Sequence, residues 1–175
     1  ADAMAVLLSL APPAANEHLA FGCDLADAAG IAAMFEYARE RWGGLDCLVN
    51  NAGIWVRNPL ASLDQALLQE TWRVNVDGSF WCARYALPLF EGATDANIVN
   101  LTSTAGQRGE ALYSPYAASK GAMISATKAW SSELAPRVRV NAVAPGWVDT
   151  DMSAASLRTE SRGAIEAAIP LRRVA

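Results

Sequence analysis

The sequence holds two lysines, Lys120 and Lys128, and the first follows a tyrosine by four positions in Tyr116-Ala117-Ala118-Ser119-Lys120. On a helix this spacing puts both side chains on one face, with Cβ atoms about 5–6 Å apart. A lysine ammonium so placed favours the phenolate and lowers a tyrosine pKa from its free value near 10. Moving it about three units, toward neutral pH, takes roughly 4 kcal/mol of differential stabilisation, which suits a partly desolvated pair. Tyr116 would then serve as a general acid or base. A tyrosine and a lysine four apart also arise by chance on many helices. Ser103 adds weight, because it ends an apolar run thirteen residues before Tyr116. A strand-loop-helix return of that length can bring its hydroxyl beside the phenol, where it would hold a substrate carbonyl oxygen while Tyr116 gives it a proton.

Other chemistries lack their residues. His18 is the single histidine, and Cys23, Cys47 and Cys82 follow no Cys-x-x-Cys spacing, so neither a zinc site nor a His-based triad can be assembled. The cysteines read as small core residues, and free thiols suit a reducing cytoplasm. Fourteen Lys plus Arg against eighteen Asp plus Glu give a net charge of −4 without a basic run, which argues against nucleic acid as a partner. Residues 4–10 followed by Ala-Pro-Pro-Ala-Ala superficially resemble a signal peptide, but no Lys or Arg precedes them, so they read as a buried strand. No apolar run is long enough to span a bilayer. Ser125-Ala-Thr-Lys128 spells a Ser-x-x-Lys without its companion motifs, and Asn100-Leu-Thr102 is a sequon at a strand end; both read as silent.

The elements that must position Ser103 and Tyr116 follow from periodicity. Short apolar runs alternate with stretches of helical period, the pattern of strands joined by crossover helices, in one domain of 175 residues. Strands are predicted over 4–10, 19–23, 45–49, 97–101 and 138–144, and helices over 27–42, 63–90, 113–134 and 152–168, with 107–112 as a loop. In an open parallel sheet ligands bind beyond the carboxyl ends of the strands. The residues there are small and hydrogen-bonding: Cys23-Asp24-Leu25, Asn50-Asn51-Ala52-Gly53, Thr102-Ser103-Thr104, and Pro145-Gly146-Trp147-Val148-Asp149-Thr150. Trp55, Arg57 and Trp147 are candidate walls of a substrate cleft, with packing an equal reading for each. Gln107, Arg108 and Tyr113 are available for polar contacts.

Asn-Asn-Ala-Gly at 50–53, Ser103, Tyr116 with Lys120, and Pro145-Gly146 stand in the order and at the spacing of the short-chain dehydrogenase/reductases, which the chain resembles from about residue 20 to 174. The resemblance implies a doubly wound, mostly parallel sheet flanked by helices, Rossmann-like, and nicotinamide-dependent interconversion of a small alcohol and ketone, with NAD or NADP as cofactor. Tyr116 would be the proton donor, Lys120 would lower its pKa and bind the nicotinamide ribose, and Ser103 would orient the carbonyl. Asn75 matches the helix asparagine that holds a water in the proton relay. Asp24 and Leu25 match positions at the adenine, Asn51, Ala52 and Gly53 those beside the adenosine and ribose, and Pro145, Gly146, Val148 and Thr150 the segment at the carboxamide. The family's subunits commonly pair through two long helices, here 63–90 and 113–134, so a homo-oligomer is expected.

The likeness has gaps. The family's Thr-Gly-x-x-x-Gly-x-Gly turn, whose backbone N–H groups hold the pyrophosphate, has no counterpart, and residues 4–10 match the family's second strand. The pattern is thus incomplete at both ends. The second strand ends Ser9-Leu10-Ala11, with neither the acid that suits NAD nor the Arg that suits NADP. These gaps define an alternative: a non-catalytic remnant of the family, acting as a folded or partner-binding module without dinucleotide binding.

Overall fold

A computed structural model describes residues 18–159 and 162–175. The first helix, α1 (Ala28–Trp42), is fixed by its ends. Asp27 accepts the Ala29 N–H as N-cap, and Gly43 leaves through the left-handed region at φ 76° while returning its N–H to the Arg39 carbonyl. Three strands follow among the described residues: β1 (Cys47–Asn50), β2 (Asn97–Leu101) and β3 (Arg139–Val143). They pair in parallel in the order β1-β2-β3, with Cys47 opposite Asn97 and Asn97 opposite Arg139.

Parallel pairing demands long crossovers. Between β1 and β2 run α2 (Gln65–Trp72), a π-helical turn at Arg73–Asp77, α3 (Gly78–Ala86) and a 3-10 turn at Leu87–Phe90; between β2 and β3 run α4 (Thr104–Arg108) and α5 (Ser114–Leu134). Two further helices, α6 (Asp151–Thr159) and α7 (Arg162–Ala168), come after β3. No described helix is long and apolar enough to cross a membrane.

Alternation along the strands separates two faces. Leu48, Ile98 and Val140 share the covered face, where Ile31 and Phe35 of α1, Ala83 and Ala86 of α3, and Met123, Ala126 and Trp130 of α5 complete one core. The other face presents Val49, Val99, Leu101 and Val143, and Val49 and Val143 are 53% and 50% exposed. A polar spine crosses the covered face: Asn50 Nδ2 donates to Asn100 Oδ1 at 2.8 Å, and Asn100 Nδ2 donates to Thr127 Oγ1 at 2.9 Å. Asn100 is 1% exposed and bonded on both sides, so the folded chain has no room for a glycan at its sequon.

Four predicted elements differ in the structure. Residues 19–23 are irregular, because a strand needs a hydrogen-bonded neighbour and none lies beside them among the described residues; Cys23 instead packs against the core with Leu25. The stretch 63–90 is helical from Gln65, but a π-helical turn at Arg73–Asp77 interrupts it and a 3-10 turn at Leu87–Phe90 ends it. Gln107 and Arg108 belong to α4 instead of a loop, and 152–168 is two helices. The predicted strand 4–10 lies outside the described residues.

One contact aligns the catalytic candidates. A Cβ added to Gly106 of α4 would lie 2.6 Å from the Lys120 carbonyl carbon and 2.7 Å from the Gly121 nitrogen. Only glycine lets α4 approach the backbone of α5 this closely. The approach brings the start of α4, next to Ser103, against the turn that carries Lys120.

Candidate active site

Ser103 is held before it does anything chemical. It follows β2 in extended backbone and caps α4, its hydroxyl accepting the Ala105 N–H at 3.1 Å. Thr102 on one side bonds Val143 through both N–H and hydroxyl, at 2.8 and 2.9 Å, and Thr104 on the other donates to the Pro145 carbonyl at 3.0 Å. The strand end is thus laced to the segment after β3. Tyr116, on the first turn of α5, is near enough to the Ser103 hydroxyl for that group to act on its phenol. Lys120, one turn further along and 6% exposed, donates its ammonium to the Leu101 carbonyl at 2.7 Å and stands 6.0 Å from the centre of the Tyr116 ring.

The electrostatics correct the expectation drawn from spacing. Burial pushes the Tyr116 phenol above its ordinary value, the Ser103 hydrogen bond offsets part of that, and the Glu110 carboxylate adds to the rise. Burial likewise lowers the Lys120 ammonium below its ordinary value. Lys120 is turned toward a backbone carbonyl, so burial rather than the lysine sets the phenol, which stays protonated at neutral pH.

Asn75 sits in the π-helical turn, 1% exposed, with its amide fully engaged. Its Oδ1 accepts the Ile54 N–H at 2.8 Å, and its Nδ2 donates to the Ile54 carbonyl at 2.9 Å and to Ser119 Oγ at 3.1 Å. The Ser119 hydroxyl in turn donates to the Tyr116 carbonyl at 2.7 Å. The side chain therefore ties the segment after β1 to the backbone of the catalytic helix, and both its amide hydrogens are spent on that tie. Ser119 was not singled out from sequence, although its place directly before Lys120 and among small residues is a signal of close packing.

These residues open on a cleft of about 610 Å³ along the strand ends. Among the candidates from the sequence, Asn51, Gly53, Ser103, Tyr116, Lys120, Pro145, Gly146, Val148 and Thr150 line it. Ala52 is exposed between Asn51 and Gly53. Asp24 and Leu25 are elsewhere: Asp24 accepts the Ala26 N–H, and the Leu25 carbonyl oxygen lies 2.7 Å from where a Cβ on Gly78 would sit. The rest of the wall includes Trp55, Arg108, Glu110, Trp147, Asp151 and Met152. Arg57 and Gln107 are exposed and off this wall, and Tyr113 backs Trp55 from behind, its ring stacked at 4.5 Å. Glu110 was missed; an acid three residues before the helix-initiating Tyr113 was read as loop charge. The far wall is secured where Ser153 Oγ donates to the Val148 carbonyl at 2.5 Å and where Ala175 N donates to the Trp147 carbonyl at 3.1 Å. No group of three or more His, Cys, Asp or Glu that could hold a metal ion occurs among the described residues.

Comparison with known proteins agrees with this geometry. The family model described as short chain dehydrogenase matches residues 3–161. A sorbitol dehydrogenase of Cereibacter sphaeroides is 36% identical over 132 residues, which are 74% of this chain and 52% of that protein. A glucose/ribitol-type short-chain dehydrogenase/reductase from Brucella melitensis superposes with a TM-score of 0.82 at 37% identity, covering 88% of this chain and 62% of that one. A gluconate 5-dehydrogenase from Burkholderia cenocepacia, solved with NADP and tartrate, gives a TM-score of 0.81 at 30% identity, with 87% and 60% covered. The chain spans about half the length of the curated relatives it matches, between 49% and 64% of each. A match over most of the sequence, a Rossmann-like parallel sheet and relatives above 30% identity together place the chain in the short chain dehydrogenase family.

Proposed function

We propose that this chain performs NAD(P)-dependent interconversion of a small alcohol and its carbonyl compound, with Tyr116 as the proton donor and acceptor. The observation that carries the reading is the meeting of Ser103, Tyr116 and Lys120 on the wall of one open cleft. The gluconate 5-dehydrogenase relative, solved with NADP, supports the choice of cofactor class.

The residues present fit the nicotinamide half of such a cofactor. A Cβ on Gly53 would come within 3.1 Å of Asn75 Oδ1 and 3.3 Å of Lys120 Nζ, so glycine leaves a shelf between the strand end and the lysine that any side chain would fill. Gly53 and Lys120 would hold the ribose, and Pro145 to Thr150 the carboxamide. When bound, the dinucleotide supplies or accepts the hydride. The chain's own contribution is position and a proton. Ser103, locked by its cap bond to Ala105, offers a fixed donor to the substrate oxygen, where charge grows in the transition state. Tyr116 gives that oxygen its proton in reduction and takes it in oxidation. Its raised pKa keeps the phenol protonated at neutral pH, the form that gives up a proton in reduction. Asn75 and Ser119 hold the helix turn on which both groups ride.

The test is titration with NADH and NADPH, followed by the fluorescence of the reduced nicotinamide. Binding near micromolar, about −8 kcal/mol, is expected; no binding up to millimolar would favour the non-catalytic module. A second measurement concerns Glu110. Replacing it by Gln removes a negative charge that raises the Tyr116 pKa, so the alkaline limb of the rate of alcohol oxidation, which needs the phenolate, is expected to move to lower pH. An unmoved or upward-shifted limb would show that Glu110 does not act on the phenol.

A further inference from the structure

Leu112 occupies a corner that glycine usually fills. It is the third residue of a turn closed by the Tyr113 N–H on the Glu110 carbonyl at 3.2 Å, and its φ is 69°. A positive φ at that corner suits glycine, whereas an L residue brings its Cβ too close to its own backbone there. The leucine is 50% exposed, so burial of its side chain contributes little to holding the conformation. A contact outside the turn must hold it.

That contact is Asn58. The Leu112 carbonyl accepts the Asn58 N–H at 2.9 Å. Asn58 is 2% exposed, and both ends of its amide bind the backbone of residue 64: Nδ2 donates to the Asp64 carbonyl at 2.9 Å, and Oδ1 accepts the Asp64 N–H at 2.8 Å. Asp64 in turn caps α2 by accepting the Ala66 and Leu67 N–H groups. The turn is thus tied through Asn58 to the head of a helix. Its two ends meet Trp55, where Glu110 Oε2 accepts the indole N–H at 3.3 Å and the Tyr113 ring stacks on the indole with centres 4.5 Å apart.

We propose that Asn58 is a positioning residue for the proton step: it holds Leu112 in left-handed backbone and so fixes Glu110 and Trp55 on the cleft wall that Tyr116 shares. The role rests on the redox reading above, since it matters to catalysis only if Tyr116 moves the proton. The charged groups that line the cleft with Tyr116 are Arg108 at the end of α4, Glu110 in the turn, Lys120 on α5 and Asp151 at the start of α6. Burial raises the phenol's pKa, and the Glu110 carboxylate adds to the rise. A turn released from Asn58 no longer keeps that carboxylate in place, so the state of the phenol reports the tie.

The experiment follows Tyr116 as the difference in tyrosinate absorbance between each chain and its Tyr116→Phe counterpart, titrated toward alkaline pH with far-UV dichroism confirming the fold at each point. Asn58→Ala, which removes both bonds to residue 64, is expected to move the Tyr116 midpoint to lower pH and to speed amide exchange across residues 110–113 about tenfold. Adding Leu112→Gly, which lets the turn form without outside help, is expected to return both to the parent values. A role confined to stability would leave the phenol midpoint where it is. Leu112→Gly alone is expected to raise the urea midpoint, because relief of the left-handed leucine outweighs the greater freedom of glycine in the unfolded chain. An Asn58→Ala phenol midpoint equal to the parent's, a shift that Leu112→Gly does not reverse, or a Leu112→Gly urea midpoint at or below the parent's overturns the proposal. Should Asn58→Ala fail to fold, the urea comparison still decides, since Leu112 is half-exposed and can be changed without opening the core. NADPH titration of the unaltered chain reports the redox reading separately: absence of binding defeats that reading, while the phenol and exchange results judge the tie.

Discussion

Tyr116→Phe is expected to lower turnover by about 10³-fold while leaving NADPH binding and the fold nearly unchanged, because it deletes one oxygen and keeps the ring. General acid–base groups contribute roughly 10²–10⁴-fold, and Tyr116 is the phenol that lines the cleft together with Ser103. The packing consequence is slight, since the ring's buried surface survives. The Ser103 hydroxyl keeps the bond it accepts from the Ala105 N–H, so the helix cap is untouched. Steady-state kinetics with parallel cofactor titration checks this. A variant within tenfold of the parent would remove Tyr116 from the proton step and leave the reaction to another group.

The second large effect lies outside the cleft. Gly106→Ala is expected to destabilise the protein by about 3 kcal/mol, at the upper end for overpacking. The added methyl would meet the Lys120 carbonyl carbon at 2.6 Å and the Gly121 nitrogen at 2.7 Å, both main chain, so no side chain can swing away to admit it. Either α4 withdraws from α5 or the turn holding Lys120 moves, and each displaces Ser103 relative to Tyr116. Gly22→Ala is the control, since nothing lies within 4 Å of a Cβ there. Urea denaturation reads the difference as a fall in midpoint at constant slope. An unchanged midpoint would mean the two helices can separate freely, and the close approach would then not be what aligns the site.

What could be read from the sequence was whatever depends on residue type and regular spacing. The strand 97–101, the helix through 113–134 and the small residues at the strand ends are local patterns, and the structure has them at or near those positions. What escaped depends on partners distant along the chain. Residues 19–23 have strand-forming side chains, but a strand also needs a neighbour's backbone, which no local pattern reports. The spacing of Tyr116 and Lys120 placed them correctly on one face, yet it could not show that the ammonium turns to the Leu101 carbonyl or that burial outweighs it. Glu110 and Ser119 matter through what they touch, Trp55 and Asn75, which lie 55 and 44 residues away.

The all-parallel pairing also has a kinetic side. Each strand contact closes a loop of about fifty residues, from Asn50 to Asn100, or about forty, from Asn97 to Arg139. Closure entropy must be met before these contacts repay it, which places folding in the slower range of small mixed domains. During synthesis β2 can dock β1 early, but β3 waits until α5 has left the ribosome. The cleft, built where the three strands end together, is then among the last features to appear.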